Sequence, residues 1–155
     1  MQKTKYDVFL KELLPNGYFY QKLTNPNHQD SCDCSCYDCL RDYYNQRYHE
    51  MLDWRLGLDL TKIASDKQFV PEFMDKNGYW RPLLEKRLEA ISKQGTDKVT
   101  YKAEIETSVL TINEEKVLFI HPFWSELKIQ TLCQKYECNL DNVVYINKFI
   151  QNLRV

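Results

Sequence analysis

The stretch that decides the fold is Asp30-Ser31-Cys32-Asp33-Cys34-Ser35-Cys36-Tyr37-Asp38-Cys39, which holds four of the chain's six cysteines. Bridging all four to one another within eight residues would need strained geometry, so a shared metal ion is the better interpretation. Zinc takes four ligands in a tetrahedron, and the Cys-x2-Cys pair at its end offers two thiolates from one turn. The sequence therefore predicts a zinc site formed by Cys32, Cys34, Cys36 and Cys39.

The identity of the fourth ligand is open at this stage. Three cysteines spaced by two residues rarely converge on one ion in an extended chain, so one of them could be replaced. The candidate replacements are His49, His28, Cys133 and Cys138. Ten residues of continuous helix would put His49 about 15 Å from Cys39, so this histidine could bind only if the helix breaks near Asn45. For Cys133 and Cys138, ordinary burial is the stronger interpretation.

A zinc ion held by four thiolates has no open position for water, which predicts a structural role rather than a catalytic one. Two other interpretations of the thiols stay open, namely a redox or different metal role and inert cysteines. Metal binding suits a reducing compartment, and no apolar run approaches the length of a membrane helix. We therefore expect a cytoplasmic protein without a membrane segment.

Bulk composition limits the partners. The 155 residues carry a formal net charge of -1, so no global basic field gathers nucleic acid, and any contact with DNA must be local. Hydrophobic residues make up 43% of the chain, which is enough for a core and argues against disorder. We expect one domain over residues 1–155, with sub-parts 1–65 and 66–155.

Periodicity in the first sub-part predicts a short strand around Tyr6, Val8 and Leu10, a turn at Pro15-Asn16-Gly17, a short helix over 18–23 and irregular chain over 24–27. Apolar and aromatic residues then recur every three or four positions from Leu40 to Ile63. This spacing indicates a main helix from about Gln46 to Ala64, with Asn45 as its cap.

In the second sub-part, the residue pattern predicts a helix that begins near Pro82 and ends at Gly95, followed by strands. Alternation at 99–105 indicates one strand, and the segments 109–112 and 117–120 indicate a hairpin. A helix over 125–136 and a final buried strand over 143–146 complete the pattern. The fold class is α+β, with a cysteine zinc knot leading into a long helix and a small β-rich second half.

Enzymatic readings are weaker. The sequence has no Gly-x4-Gly-Lys-Ser/Thr phosphate loop and no His-x-Glu ahead of Pro-Cys-x-x-Cys, so a standard nucleotide-hydrolysing motor and a zinc deaminase are excluded for this chain. One alternative is a metal-dependent nuclease-like site using Glu104, Glu106, Glu114 and Lys116. The last two fall at a predicted hairpin tip, where charges are simply solvated, and His121-Pro122-Phe123-Trp124 reads as a packed aromatic strand end. Another alternative is a pure protein-interaction module.

The chain resembles a known family along most of its length, the MZB-type zinc-binding domain at the C-terminal end of superfamily 2 DEAD/DEAH-box helicases. The matching motifs are Leu14-Pro15-Asn16-Gly17, Asp30-Ser31-Cys32, Ser35-Cys36-Tyr37-Asp38-Cys39-Leu40, Tyr44-Asn45-Gln46, His49, Leu52-Asp53-Trp54-Arg55, Val70-Pro71, Trp80-Arg81-Pro82-Leu83-Leu84, His121-Pro122-Phe123-Trp124 and Ile146-Asn147-Lys148-Phe149. The cysteine-to-Trp54 part is the most specific, and there the chain is similar to helicases of bacterial phage-defence islands.

The resemblance implies a zinc-stabilised accessory domain beside a DNA-translocating motor, contributing to DNA handling or partner docking. It implies no catalytic residue in this chain and a DEAD/DEAH-box helicase as partner, on the same or another polypeptide. Two departures stand out: Tyr18-Phe19 replace the second glycine expected after Asn16-Gly17, and the chain stops near Arg154-Val155, where the family pattern continues.

Overall fold

The computed structural model describes residues 4–94, 99–103, 107–112 and 114–152. The chain divides into two compact units, Met1–Val70 and Pro71–Val155. Helices dominate the first unit, and the second combines helices with a sheet, so the predicted mixed class of helices and strands is confirmed. The predicted sub-parts place their boundary close to this division. The single-domain organisation itself stays a prediction.

The first helix, α1 (Lys5–Glu12), occupies the region where the sequence predicts a strand, so that prediction is wrong. The physical reason is a capping box: the Thr4 hydroxyl accepts a hydrogen bond from the Asp7 amide, and the Asp7 carboxylate accepts one from the Thr4 amide at 2.9 Å. The alternating apolar residues do not face a core, because Tyr6 and Val8 are exposed.

The turn after α1 requires glycine. A Cβ on Gly17 would lie 2.3 Å from the Glu12 carbonyl oxygen, closer than any side chain tolerates. The predicted helix over 18–23 is confirmed as α2 (Tyr18–Leu23). The prediction of irregular chain over 24–27 is wrong in part, because α3 (Pro26–Ser31) begins there, capped by the Asn25 side chain with proline in its first turn.

The long helix predicted over 46–64 is shorter in the structure. A 3-10 helix covers Tyr43–Tyr48 and contains a non-helical residue at Asn45, and α4 (Trp54–Ser65) follows as a separate helix. The break arises because Asp53 has extended backbone angles and its side chain accepts a hydrogen bond from the Arg55 amide. Asp53 is therefore the N-cap of the main helix, in place of Asn45.

The second unit matches its predicted elements more closely. Its elements are α5 (Arg81–Gln94), β1 (Val99–Ala103), β2 (Ser108–Ile112), β3 (Glu115–Ile120), α6 (Glu126–Tyr136), a 3-10 turn (Leu140–Asn142), β4 (Val143–Tyr145) and α7 (Ile146–Asn152). The strands described form one sheet in the order β1-β2-β3-β4, antiparallel except for the parallel pair β3 and β4. Helix α6 makes the crossover that a parallel pair needs.

Helix α7 is an element that the sequence reading missed. The predicted final strand ends at Tyr145, and Ile146 and Ile150 then lie fully buried on one face of α7. Other fully buried side chains of this unit come from β3 and α5, including Phe119 and Leu84. Among the helices described, none combines the length and the apolar character that a membrane crossing needs.

Candidate metal centre

Four potential ligands converge in the first unit. They are His28, Cys32, Cys36 and Cys39, called here the metal group, and their ligand atoms all lie within 4.8 Å of one another. Cys36 Sγ lies 3.5 Å from Cys39 Sγ and 3.6 Å from His28 Nε2, and the Sγ atoms of Cys32 and Cys39 are 3.8 Å apart. All six cysteines are free thiols.

These spacings fit a tetrahedral ion. Zinc bonds of about 2.3 Å to sulfur and about 2.0 Å to nitrogen put ligand atoms about 3.8 Å apart for two sulfurs and about 3.5 Å apart for sulfur and nitrogen. The three separations given above lie within about 0.3 Å of those values. The group can therefore hold one divalent ion with a complete Cys3His shell.

His28 is oriented for this role by the helix that carries it. Its Nδ1 donates a hydrogen bond to the Leu23 carbonyl oxygen at 2.8 Å, which leaves the lone pair of Nε2 facing the sulfurs. A backbone acceptor on the far ring nitrogen is the usual way in which a metal-binding histidine has its tautomer fixed. The Trp54 ring packs against the imidazole, with centroids 5.4 Å apart.

Cys34 lies outside the metal group, although the sequence names it as a ligand with the other three cysteines. It is 1% exposed and sits between two members of the group in sequence, and its carbonyl oxygen accepts a hydrogen bond from the Trp54 amide at 3.0 Å. Residues two apart in extended chain share a face, so a local change of direction is needed to bring Cys32 and Cys36 together without the residue between them. Bends of the backbone at Asp33 and Cys34 supply this change of direction.

Hydrogen bonds within the metal group shift the acidity of its thiols. The bond from Cys32 Sγ, assisted by the Cys36 amide at 3.1 Å, lowers the pKa of Cys39 to about 4. The same pairing with Cys39, together with burial, raises the pKa of Cys32 above its ordinary value. Within this pair, Cys39 is therefore the more acidic thiol, and the thiolate is the form that binds a metal.

The loop that carries the metal group is tied to the start of α4 by three consecutive carbonyls. The carbonyl of Cys32 accepts from Trp54 Nε1 at 3.3 Å, that of Asp33 from the Arg55 guanidinium, and that of Cys34 from the Trp54 amide. Holding the cysteine loop thus also holds the first turn of α4. The sequence predicts a cysteine knot that leads into the main helix, and these bonds connect the two directly.

Two charged residues at the start of α4 are buried beside this loop. Burial raises the pKa of Asp53 to about 6 and lowers that of Arg55, while each partly offsets the other's desolvation. The Arg55 guanidinium also lies 4.2 Å from the centroid of the Trp54 ring. Loss of one partner of such a pair is destabilising, because it leaves the other charge buried without compensation.

The other candidate ligands lie elsewhere. His49 Nε2 is 2.8 Å from Asn45 Oδ1 and 3.1 Å from the Asp42 carbonyl, outside the metal group, even though the helix does break before it. Cys133 and Cys138 are buried in the second unit, where burial raises the pKa of each thiol.

The residues of the nuclease alternative gain no support as a site. Glu104 and Glu106 lie outside the described residues. Glu114 is exposed with a positive φ of 77°, and Lys116 donates to the Tyr136 carbonyl and to Glu137. In the aromatic segment after β3, His121 is fully buried and its Nδ1 accepts from the Phe123 amide, as a packed strand end requires.

The fold and site define a small mixed α/β chain with a candidate Cys3His metal centre. The sequence is similar to Druantia protein DruE of Escherichia coli (strain UMEA 4076-1), at 33% identity over 70 aligned positions. This match covers 37% of the chain and 4% of the relative, so the chain spans a small fraction of that protein's length. No family model matches the sequence, and no solved structure matches it.

Proposed function

We propose that this chain is a non-catalytic, zinc-binding accessory unit of a DNA helicase that works in bacterial phage defence in the cytoplasm, and that it acts by docking a protein partner. The observation that carries the proposal is the metal group, whose donor atoms stand at the separations of a zinc tetrahedron. Three thiolates and one imidazole are a typical structural zinc set.

The helicase association rests on one support, the resemblance of the residues from the cysteines to Trp54 to the MZB-type appendage of superfamily 2 helicases. The phage-defence association rests on the similarity to Druantia protein DruE, which covers 37% of this chain and 4% of that relative.

The surface next to the metal group favours protein docking over DNA contact. Residues 37–51, called here the tyrosine segment, expose Tyr37, Tyr43, Tyr44 and Tyr48, of which Tyr44 is 88% exposed. The segment contains no lysine, and its two arginines are outnumbered by three carboxylates. Protein interfaces are rich in tyrosine, arginine and methionine and poor in lysine, as this segment is. Binding of DNA phosphates needs an excess of positive charge, which the segment lacks.

The test is complex formation between this chain and a DEAD/DEAH-box helicase polypeptide from the same organism. We expect co-purification, and a double Tyr43→Ala, Tyr44→Ala variant should weaken it roughly 30-fold if the segment contains interface hot spots worth about 2 kcal/mol. The control is Tyr6→Ala with Tyr18→Ala, which removes two exposed tyrosines from α1 and α2, 63% and 67% exposed. If the chain does not bind the helicase and instead binds DNA oligonucleotides in a salt-sensitive way, the docking proposal is refuted.

A further inference from the structure

We propose that Cys36 and Cys39 form a hydroperoxide-reactive dithiol, which closes to a disulfide and thereby removes two donors from the metal group. The inference rests on the proposed zinc site and adds to it a reaction with an oxidant. Its basis is unequal access to the thiols, together with the geometry of the pair.

Access differs sharply among the clustered cysteines. Cys32 and Cys34 are 2% and 1% exposed, whereas Cys36 and Cys39 are partly exposed. A cavity of about 230 Å³ opens beside Cys39 and is lined mainly by apolar side chains, among them Leu40 and Trp54. This space far exceeds what one water needs, so a peroxide molecule fits beside Cys39.

The pair is also placed for ring closure. The Sγ atoms of Cys36 and Cys39 are 3.5 Å apart, closer than the 3.8 Å between Cys32 and Cys39, and a disulfide needs about 2.0 Å. The Cys36 amide donates a hydrogen bond to Cys39 Sγ at 3.1 Å, which holds this sulfur beside Cys36.

The chemistry balances with hydrogen peroxide as the oxidant. The Cys39 thiolate attacks one peroxide oxygen, the O–O bond breaks, and the departing hydroxide takes a proton to become water, which leaves a sulfenic acid on Cys39. The Cys36 thiolate then attacks this sulfur, the S–O bond breaks, and a second hydroxide leaves as water. The two sulfurs lose two electrons, which the peroxide gains.

The spacing of aspartates makes the disulfide easy to map. Cleavage before each aspartate separates Asp30–Cys32, Asp33–Tyr37 and Asp38–Arg41, so each fragment carries one or two of the clustered cysteines. In a Cys34→Ser variant, a link between the second and third fragments can only join Cys36 to Cys39. The same digest of the wild-type chain is the control for a folding defect in this variant. There, fragmentation of the linked peptides in the mass spectrometer shows whether Cys34 or Cys36 is joined to Cys39.

The experiment begins with elemental analysis of the reduced full chain, followed by titration with hydrogen peroxide in the presence of a chromogenic zinc chelator. We expect one zinc released for each Cys36–Cys39 disulfide formed, and recovery of zinc binding after dithiothreitol and added zinc. A link from Cys32 to Cys39, retention of zinc, or oxidation that dithiothreitol cannot reverse would each overturn the inference. Absence of zinc from the reduced chain would instead refute the proposed function.

Discussion

Replacing His28 separates the metal group seen in the structure from the four-cysteine site that the sequence suggests. We expect His28→Ala to weaken zinc binding strongly and Cys34→Ser to leave it nearly unchanged. Structural zinc in small domains is bound with about 10–16 kcal/mol, so an even share for one of four ligands is about 3–4 kcal/mol, or a Kd raised roughly 10²- to 10³-fold. His28→Cys should recover much of the loss, because it restores a fourth donor one helical turn before Cys32.

The assay is a competition titration against a chromogenic chelator under reducing conditions, with zinc content measured by elemental analysis of each purified variant. Cys36→Ser serves as the reference for a lost ligand. Should Cys34→Ser lose zinc as fully as Cys36→Ser while His28→Ala retains it, the Cys3His arrangement would be refuted in favour of four cysteines.

Three further outcomes are expected. Trp54→Phe removes the donor to the Cys32 carbonyl, so it should lower the free energy of unfolding by about 1–3 kcal/mol and also weaken zinc binding. The control Trp124→Phe removes the donor to the Pro71 carbonyl at 2.8 Å, and it should lower resistance to urea while zinc affinity stays unchanged. Equal zinc affinities of the two variants would contradict the coupling between α4 and the metal group. Burial raises the pKa of Asp53 from 3.8 to about 6, so the stabilisation from its protonated form is complete below about pH 4 and is lost as pH rises through 6. In urea melts, the free energy of unfolding of the wild type relative to Asp53→Asn should therefore fall by about 2–3 kcal/mol over that window. A difference that does not change with pH would show that the carboxyl is not desolvated. Chelation should remove the hydrogen-exchange protection of α4 while β2 and β3 keep theirs, and an unchanged α4 would mean that the metal group does not hold this helix.

The metal site was accessible from sequence only in part. The Cys-x2-Cys spacing of Cys36 and Cys39 is a local signal and points directly to a ligand pair. From the sequence, His28 is one of several candidates, and residues 24–27 ahead of it are predicted as loop. The missing signal was Asn25-Pro26, which starts α3 and so places His28 one helical turn before Cys32, the residue that follows the last turn of this helix.

The fold shows the same contrast between local and tertiary information. The hairpin of β2 and β3 and the helices α5 and α6 follow from clear periodicity and were predicted. Alternation at residues 6–10 suggested a strand, but the capping box at Thr4 and Asp7 decided for a helix. The stripe from Leu40 to Ile63 continues across Asp53, so its periodicity gives no sign of the break that the Asp53 N-cap makes.

Zinc K-edge X-ray absorption on the purified, reduced chain is the most direct test of the metal group. We expect one zinc per chain, with three sulfurs at about 2.3 Å and one nitrogen at about 2.0 Å. A first shell of four sulfurs, or a folded chain that takes up no zinc, would contradict the account.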